Sequence, residues 1–241
     1  MWFFDKKMSL KDSGVFSGYT DWHSHILPGV DDGVKTLENS LKILEHYESL
    51  GFKKVWLTPH IMEDFPNETA KLRDRFAELK EAWKGEVEIA LAAENMLDNI
   101  FEERLEKEDF LPIGEDGSHL LVETSYYTPP YGMERMIDKA LSKGFSLILG
   151  HPERYRYMEE KDYTELKNKG LLFQMNVLSL TGAYGETARK KAEWLLKNDM
   201  IDLSGTDVHR MEAVVAGFTL KNVGKKSVEK LLDTVKSQAL S

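Results

Sequence analysis

Short apolar runs rich in β-branched residues alternate along the chain with longer stretches in which apolar residues recur every three or four positions. The short runs predict buried strands, and the longer stretches predict amphipathic helices that pack on a sheet. Seven strands are predicted, over residues 18–23, 54–58, 87–93, 119–124, 145–150, 171–176 and 201–205.

The helical stretches carry apolar residues on one face and mostly end at a glycine or a polar residue. Leu37, Leu41 and Leu44 share such a face ahead of Gly51, which is typical of a helix C-terminus. Helices are predicted over residues 36–50, 67–84, 133–143, 187–198 and 227–240, with shorter ones over 99–107 and 163–169.

Alternating strands and helices indicate an α/β protein with parallel strands, either a barrel or an open, doubly wound sheet. A chain of 241 residues is an ordinary length for a single α/β domain. We therefore predict one domain, with an N-terminal arm over residues 1–17, a barrel over about 18–210 and a C-terminal helical segment over about 224–241.

A side chain that is able to bind a metal ion comes directly after most of the predicted strands. Because the carboxyl ends of strands converge at one mouth of a barrel, whereas an open sheet would spread them, this placement favours a closed, TIM-like (β/α)7 barrel. Only the sixth strand, which ends at Asn176, lacks such a residue. The side chains are His23 and His25, then His60, Glu94, Glu123 and His151, and after the seventh strand Asp207 and His209.

With Asp32, on the loop after the first strand, the candidate metal ligands number nine, too many for one ion. Imidazole nitrogens beside carboxylates suit two or three divalent cations, which polarise esters and activate water for hydrolysis. The same donors accept Mn, Fe, Zn, Co or Mg. Asp31 fits an ordinary Asp-Gly turn as well as a ligand, and no function is assigned to His46 or His119.

Composition narrows the function further. The net charge of −9 disfavours nucleic-acid binding, and the absence of cysteine excludes disulfides and a thiolate nucleophile. No run approaches the roughly 20 apolar residues of a transmembrane helix. The apolar run 2–4 is too short for a signal peptide and is predicted to pack under the barrel. These features predict a cytoplasmic protein.

Two arginines lie close to predicted ligands. Arg154, in "GHPERY", follows His151 by three residues, and Arg210 directly follows His209. A guanidinium binds phosphate oxygens through two parallel hydrogen bonds, although a surface ion pair is the common alternative. Tyrosines on loops at the proposed mouth either stack on an aromatic substrate or face solvent: Tyr126, Tyr127, Tyr131 and Tyr155.

Six motifs between about residues 19 and 210 resemble the PHP (polymerase and histidinol phosphatase) superfamily. They are "DWHSHILPGVDDG", "TPH", "AAEN", "LVETS", "GHPERY" and "GTDVH", in this order. The first and fifth are similar in particular to bacterial PHP-type protein-tyrosine phosphatases of capsule and exopolysaccharide gene clusters.

This resemblance implies a distorted seven-stranded barrel and a trinuclear site, usually loaded with manganese. It also implies that Arg154 grips the phosphate. The family's second arginine lies beyond the last metal histidine, where this chain has Glu212, so Arg210 is the candidate replacement. The implied ligand sets are His23, His25, Glu94 and Asp207 for one ion, Glu94, Glu123 and His151 for the second, and Asp32, His60 and His209 for the third.

The substrate implied by the resemblance is phosphotyrosine in the tail of a membrane-associated bacterial tyrosine kinase that controls polysaccharide synthesis. Three alternatives stay open from the sequence. The chain could be a histidinol-phosphatase-like or other small-molecule phosphoesterase, because metal ligands alone do not select a leaving group. It could also be an amidohydrolase-type hydrolase or a catalytically inactive regulatory module.

Overall fold

Strands and helices alternate along the chain in the computed structural model, which describes residues 7–240. The prediction for residues 2–4 therefore concerns residues outside the described range. Each of the seven predicted strand regions contains one strand. Four further short strands were not predicted: Lys7–Met8, His60–Ile61, Glu94–Met96 and Val223–Gly224. The strands are β1 (Lys7–Met8), β2 (Thr20–Asp21), β3 (Lys54–Leu57), β4 (His60–Ile61), β5 (Glu88–Leu91), β6 (Glu94–Met96), β7 (His119–Glu123), β8 (Ser146–Gly150), β9 (Leu172–Asn176), β10 (Leu203–Gly205) and β11 (Val223–Gly224).

The predicted helices are also present, with ends displaced by at most about three residues, as is usual for sequence-based boundaries. Short 3-10 turns cover Pro152–Arg154 and Val177–Thr181. The helices are α1 (Leu37–Leu50), α2 (Thr69–Ala82), α3 (Asn99–Lys107), α4 (Met133–Ser142), α5 (Glu160–Asn168), α6 (Glu186–Lys197), α7 (Met211–Thr219) and α8 (Lys225–Ser237).

Helix α7 was not predicted. Its sequence contains Gly217 and the β-branched pair Val214–Val215, which lower intrinsic helix propensity. Val214 and Phe218, four residues apart, are nevertheless buried on one face of the helix. Tertiary packing of this face therefore stabilises a helix that local propensity does not indicate.

All strand pairs within the two larger sheets are parallel. One sheet has the order β10-β9-β8-β7-β6-β4, and a second has the order β2-β3-β5. The short strands β1 and β11 form a separate antiparallel pair. The prediction of an α/β protein with parallel strands is confirmed.

A proline interrupts the ladder where the two sheets meet. Strands β3 and β4 belong to one extended segment, but Pro59 between them has no N–H to donate. Opposite it, the N–H of Ala93 donates to Leu111 O instead, at 3.1 Å. Glu94 N then donates to Pro59 O at 3.1 Å, and regular pairing resumes.

The other edges of the two sheets also lie side by side. Trp22 N donates to Ser204 O at 3.3 Å, and Asp207 N donates to His23 O at 2.8 Å. These hydrogen bonds join the region of β2 to that of β10, but they do not form a continuous ladder. The closed seven-stranded barrel therefore stays a prediction, with two adjacent parallel sheets as the observed arrangement.

Side-chain alternation separates two apolar clusters. Along β7, Leu120 and Val122 belong to the large cluster that also includes residues of the helices, whereas Leu121 packs in a smaller one with Trp22 and Trp56. Because side chains two residues apart share a face of a strand, Glu123 lies on the same side as Leu121. The small cluster thus forms an apolar layer next to the polar side chains at the strand ends.

Across the described residues, no helix combines the length and apolar character required to cross a bilayer.

Gly205 is predicted to be required for the close approach of β10 to the first strand region. A Cβ atom at this position would lie 2.6 Å from His23 Cβ and 2.8 Å from His23 N. Because the clash involves a backbone atom and a Cβ rather than the end of a flexible side chain, we expect Gly205→Ala to lower the free energy of unfolding by about 3 kcal/mol, the upper end of the usual range for overpacking. Urea denaturation measures the loss.

Gly117→Ala is the control, since Gly117 has φ +72° but a methyl group at this position would have no neighbouring atom within 4 Å. We expect it to lose about 1 kcal/mol from backbone strain alone. A loss at Gly205 no larger than at Gly117 would contradict the close approach.

Candidate metal centre

The structure brings all nine predicted ligand side chains together at the carboxyl ends of the parallel strands. They fall into four overlapping groups, and within each group the donor atoms lie within 4.8 Å of one another. This spacing is that of atoms able to share a cation at about 2.0–2.3 Å from each. The groups are His25, Asp32, His60 and His209; His23, His25 and Asp207; His23, Glu94 and His151; and His60, Glu94 and Glu123.

Glu94 lies at the centre of the cluster and is fully buried. Its Oε2 lies 3.2 Å from Nε2 of both His23 and His25, and 3.1 Å from Nδ1 of His60. Its Oε1 lies 2.9 Å from Nε2 of His151. Four imidazoles from three different strand ends and the first loop therefore surround one carboxylate.

The remaining ligands close the cluster on two sides. Glu123 Oε1 lies 3.0 Å from Nδ1 of His60, on the buried side. Asp32 Oδ1 lies 3.3 Å from Nε2 of His209 and 3.5 Å from Nε2 of His60. The side chain of Asp32 is 56% exposed, so the cluster opens to solvent at this edge.

In the cluster, the combined effect of neighbouring opposite charges on the pKa values outweighs the effect of burial. Burial and His25 oppose protonation of His60, but Glu94 and Glu123 outweigh them and raise its pKa to about 10. Burial opposes ionisation of Glu94, yet His23 and His60 hold the pKa of that carboxyl well below its usual range. Without cations, a proton on His60 would therefore offset part of the carboxylate charge. Divalent cations would take the place of that proton.

Three buried polar atoms of the cluster lie near oppositely charged groups but form no hydrogen bond with them. His60 Nδ1, Glu94 Oε2 and Glu123 Oε1 are buried, and none has a hydrogen-bond partner among the described residues. Buried polar atoms are rarely left this way. Imidazole nitrogens and carboxylate oxygens that converge without hydrogen-bonding to one another are suitable ligand atoms for divalent cations such as Mn, Fe, Zn or Co.

Asp31 is both a turn residue and a support for the cluster. Its Oδ1 accepts from Gly33 N at 2.9 Å, which is the expected Asp-Gly turn. Its Oδ2 accepts from His60 N at 3.0 Å and lies 2.8 Å from His25 Nδ1. Because a carboxylate only accepts hydrogen bonds, it holds the proton of His25 on Nδ1 and leaves Nε2 to face Glu94.

Strand β9, which corresponds to the sixth predicted strand, supplies two amide side chains that sequence analysis missed. Gln174 Oε1 lies 2.6 Å from His23 Nδ1, and Gln174 Nε2 donates to Asn176 Oδ1 at 3.1 Å. Asn176 Nδ2 in turn donates to Asp207 Oδ2 at 2.7 Å. The amides thus orient one histidine and one carboxylate. Their spacing of two residues at the end of a predicted strand was the available signal.

The structure places the two candidate arginines differently. Arg154 Nη1 donates to Asp207 Oδ2 at 2.8 Å, and its side chain is only 20% exposed. Arg210 is exposed, and its side chain forms no hydrogen bond or ion pair with the described residues. Only Arg154 is therefore held against the cluster.

Two cluster residues have left-handed backbone conformations. His151 has φ +33° and Asp207 has φ +52°, although neither is glycine. Such conformations are uncommon outside glycine and are concentrated at functional sites. They turn the chain sharply at the ends of β8 and β10, where the two side chains enter the cluster.

The four candidate tyrosines lie in different environments. Tyr155 is fully buried, and its hydroxyl donates to Gly150 O at 2.8 Å, so it supports β8 and does not face a substrate. Tyr127 and Tyr131 are 65% and 97% exposed, whereas Tyr126 is half-buried. His119 lies apart from the cluster and pairs with Asp116 at 3.0 Å.

A comparison with protein families gives a match over residues 19–236 to the family of capsular polysaccharide synthesis proteins CpsB/CapC. This match spans nearly the whole chain and all nine cluster residues. The chain belongs to the CpsB/CapC family.

Curated relatives of this CpsB/CapC protein are named tyrosine-protein phosphatases. CpsB of Streptococcus pneumoniae is 28% identical over 204 residues, which cover 80% of this chain and 84% of that protein. YwqE of Bacillus subtilis is 27% identical over 199 residues, which cover 80% of this chain and 78% of that protein. The recognition of a phosphatase family from the motifs is confirmed.

Solved structures agree on the fold. A structure from work on YwqE of Bacillus subtilis and CpsB of Streptococcus pneumoniae, described as metal-dependent tyrosine phosphatases, superposes with a TM-score of 0.73. It is 24% identical and covers 89% of this chain, with 86% of its own length matched. The lactonase Lmo2620 of Listeria monocytogenes has a TM-score of 0.57 at 14% identity, covering 93% of this chain and 94% of its own.

Asp31 and Asp32 are adjacent in sequence but should differ sharply in their effect on stability. Asp31→Ala leaves the N–H groups of Gly33 and His60 and the Nδ1 of His25 without their acceptor, and we expect a loss of about 3 kcal/mol. Asp32→Ala, at an exposed position, should change the free energy of unfolding by less than about 1 kcal/mol. Urea denaturation in the presence of a chelator measures both.

The chelator separates this structural role from cation binding. Equal losses in the two variants would show that Asp31 does not support the fold as its contacts indicate.

Proposed function

We propose that this CpsB/CapC protein is a metal-dependent protein-tyrosine phosphatase. Its substrate would be the phosphorylated tyrosine-rich tail of a bacterial tyrosine kinase that regulates capsular or exopolysaccharide synthesis. The observation that carries the proposal is the convergence of nine nitrogen and oxygen donors beside the half-buried guanidinium of Arg154. The names of the curated relatives support the same activity.

Two or three divalent cations, most often Mn²⁺, would be held by the cluster. The ligand sets implied by the motifs overlap with the observed groups but divide them differently. The motifs assign His23, His25 and His60 to one ion each, whereas each of these residues belongs to two observed groups. Glu94 contacts imidazoles on both of its oxygens, which suits a bridging carboxylate. The proposed ligands are His23, His25, Asp32, His60, Glu94, Glu123, His151, Asp207 and His209.

The bound cations would supply Lewis acidity and activate water at neutral pH. The chain's own residues bind and orient the substrate. Arg154 has donors to place on the phosphoryl oxygens, and Asp207, through its contact with Nη1, fixes where that guanidinium lies. Tyrosine phosphate suits a site without a dedicated general acid, because a phenolate with a pKa of about 10 is a good leaving group.

The sequence contains no cysteine, so the protein cannot use a cysteine nucleophile in place of metal-activated water. We place the site at the mouth of a distorted seven-stranded barrel within one cytoplasmic domain. The hydrogen bonds that join the two parallel sheets at both edges support the barrel. The continuous apolar cluster that includes both Leu10 and Leu231 supports the single domain.

The decisive experiment compares substrates on the Mn²⁺-loaded protein. We expect kcat/KM for a phosphotyrosine peptide to exceed that for histidinol phosphate by at least about tenfold, because the phenolate leaves more readily. Chelation should abolish turnover, and iodoacetamide should have no effect. Equal or reversed rates would favour a small-molecule phosphoesterase instead.

Asp207→Asn tests the cluster directly. Asparagine tolerates the left-handed backbone at this position but removes the charge, so we expect kcat to fall by at least about 100-fold while the far-UV circular dichroism is unchanged. Asp74→Asn, on the exposed face of α2, is the matched control. Retained hydrolysis in the Asp207 variant would remove Asp207 from the site.

The two arginines should contribute unequally. Arg154→Ala is expected to lower kcat/KM for the phosphotyrosine peptide by about 100-fold, because it removes a charge-assisted contact to phosphate. Arg210→Ala should lower it by less than about fivefold, since that side chain is exposed and makes no contact with the cluster. Steady-state kinetics on both variants gives the comparison, and a larger effect at Arg210 would reverse the assignment.

A further inference from the structure

Arg154 lies against two tyrosine rings that come from different loops. Its guanidinium carbon is 4.4 Å from the ring centroid of Tyr126, in the segment after β7. It is 4.3 Å from the ring centroid of Tyr184, in the segment before α6. Both distances are within the range of a favourable cation–π contact. The two rings therefore flank the one arginine that the structure holds against the cluster.

Only one of the three nitrogens of the Arg154 guanidinium forms a hydrogen bond with the described residues. Nη1 donates to Asp207 Oδ2 at 2.8 Å, an oxygen that also accepts from Asn176. Nε and Nη2 form no hydrogen bond within residues 7–240 and are not among the atoms sealed from solvent there. Arg154 is thus held at one edge and by the rings, while its other donors stay available.

Aromatic contacts have an advantage over carboxylates in this position. A phenol hydroxyl has an ordinary pKa of about 10, so neither Tyr126 nor Tyr184 carries a charge at neutral pH. A ring face attracts the cation without using its N–H donors, whereas a second carboxylate would bond to them. The donors that a phosphate needs are therefore not taken by the groups that hold the arginine.

We propose that Tyr126 and Tyr184 are positioning residues that hold the guanidinium of Arg154 in place to bind the substrate's phosphate. This inference deepens the proposed phosphatase function and rests on it. It differs from the sequence-based interpretation of Tyr126, in which the ring stacks on the aromatic part of the substrate, because Arg154 already occupies a face of that ring.

Substitutions that keep or remove the rings test the proposal on the Mn²⁺-loaded protein. We expect Tyr126→Leu and Tyr184→Leu each to weaken orthophosphate binding by about 2- to 30-fold, the range for loss of a cation–π contact. The KM for a phosphotyrosine peptide should rise in parallel. Tyr126→Phe and Tyr184→Phe keep the ring and should restore binding to within about twofold. Calorimetry measures the phosphate affinity independently of turnover.

The matched control on the same loop is Tyr131→Leu. Tyr131 is 97% exposed and does not contact Arg154, so its loss should leave phosphate affinity unchanged. If a leucine variant does not fold, trifluorophenylalanine at position 126 replaces it. That ring keeps its shape but attracts cations weakly, so affinity should fall relative to Tyr126→Phe.

A double-mutant cycle distinguishes positioning of Arg154 from a general structural role. In an Arg154→Ala background, Tyr126→Leu should cause no further loss of phosphate affinity, because the rings act through the arginine. An equal loss in both backgrounds would overturn the proposal, as would phenylalanine variants as weak as the leucine variants.

The phosphate measurements also separate this proposal from the proposed function. If the protein binds orthophosphate through Arg154 but does not hydrolyse phosphotyrosine, the phosphatase assignment fails and the role of the rings is still decided by the cycle. If neither Arg154→Ala nor the ring variants change phosphate affinity, the positioning role is wrong whatever the substrate.

Discussion

The buried carboxylate of Glu94 is the constraint on which the rest of the site depends. It contacts the imidazoles of His23, His25, His60 and His151 at 2.9–3.2 Å in a place that water does not reach. An ionised group so fully desolvated is tolerated only when opposite charge surrounds it. Those imidazoles come from separate parts of the chain, so the strands must be parallel and their ends must meet for the charge to be balanced.

Much of this arrangement was predictable, because the same geometry places metal-binding side chains at recurring positions in the sequence. A metal-binding side chain directly after an apolar run identifies a strand end, and parallel strands bring such ends together. His60, Glu94 and His151 follow this rule. The division of the sheet could not be foreseen in the same way, since Pro59 and the diverted N–H of Ala93 matter only once their neighbours in space are known.

The supporting residues were harder to predict than the ligands for a related reason. Gln174 and Asn176 are uncharged amides and do not stand out in a sequence as metal ligands, because amides at a strand end are common. Their role follows from which atoms they meet, His23 Nδ1 and Asp207 Oδ2, across about 150 and 30 residues of sequence. Helix α7 was missed similarly, because burial of Val214 and Phe218 stabilises it rather than local propensity.

The left-handed backbone at His151 and Asp207 has an evolutionary consequence. Each such conformation stores on the order of 1–3 kcal/mol that the surrounding structure must offset. Glycine would relieve the backbone strain at either position, but it would also remove the partner of a buried group, Glu94 in the case of His151 and Arg154 in the case of Asp207. Drift toward glycine is therefore opposed at both positions even in a lineage that no longer needs catalysis, because the two residues that strain the backbone also stabilise the buried groups around them.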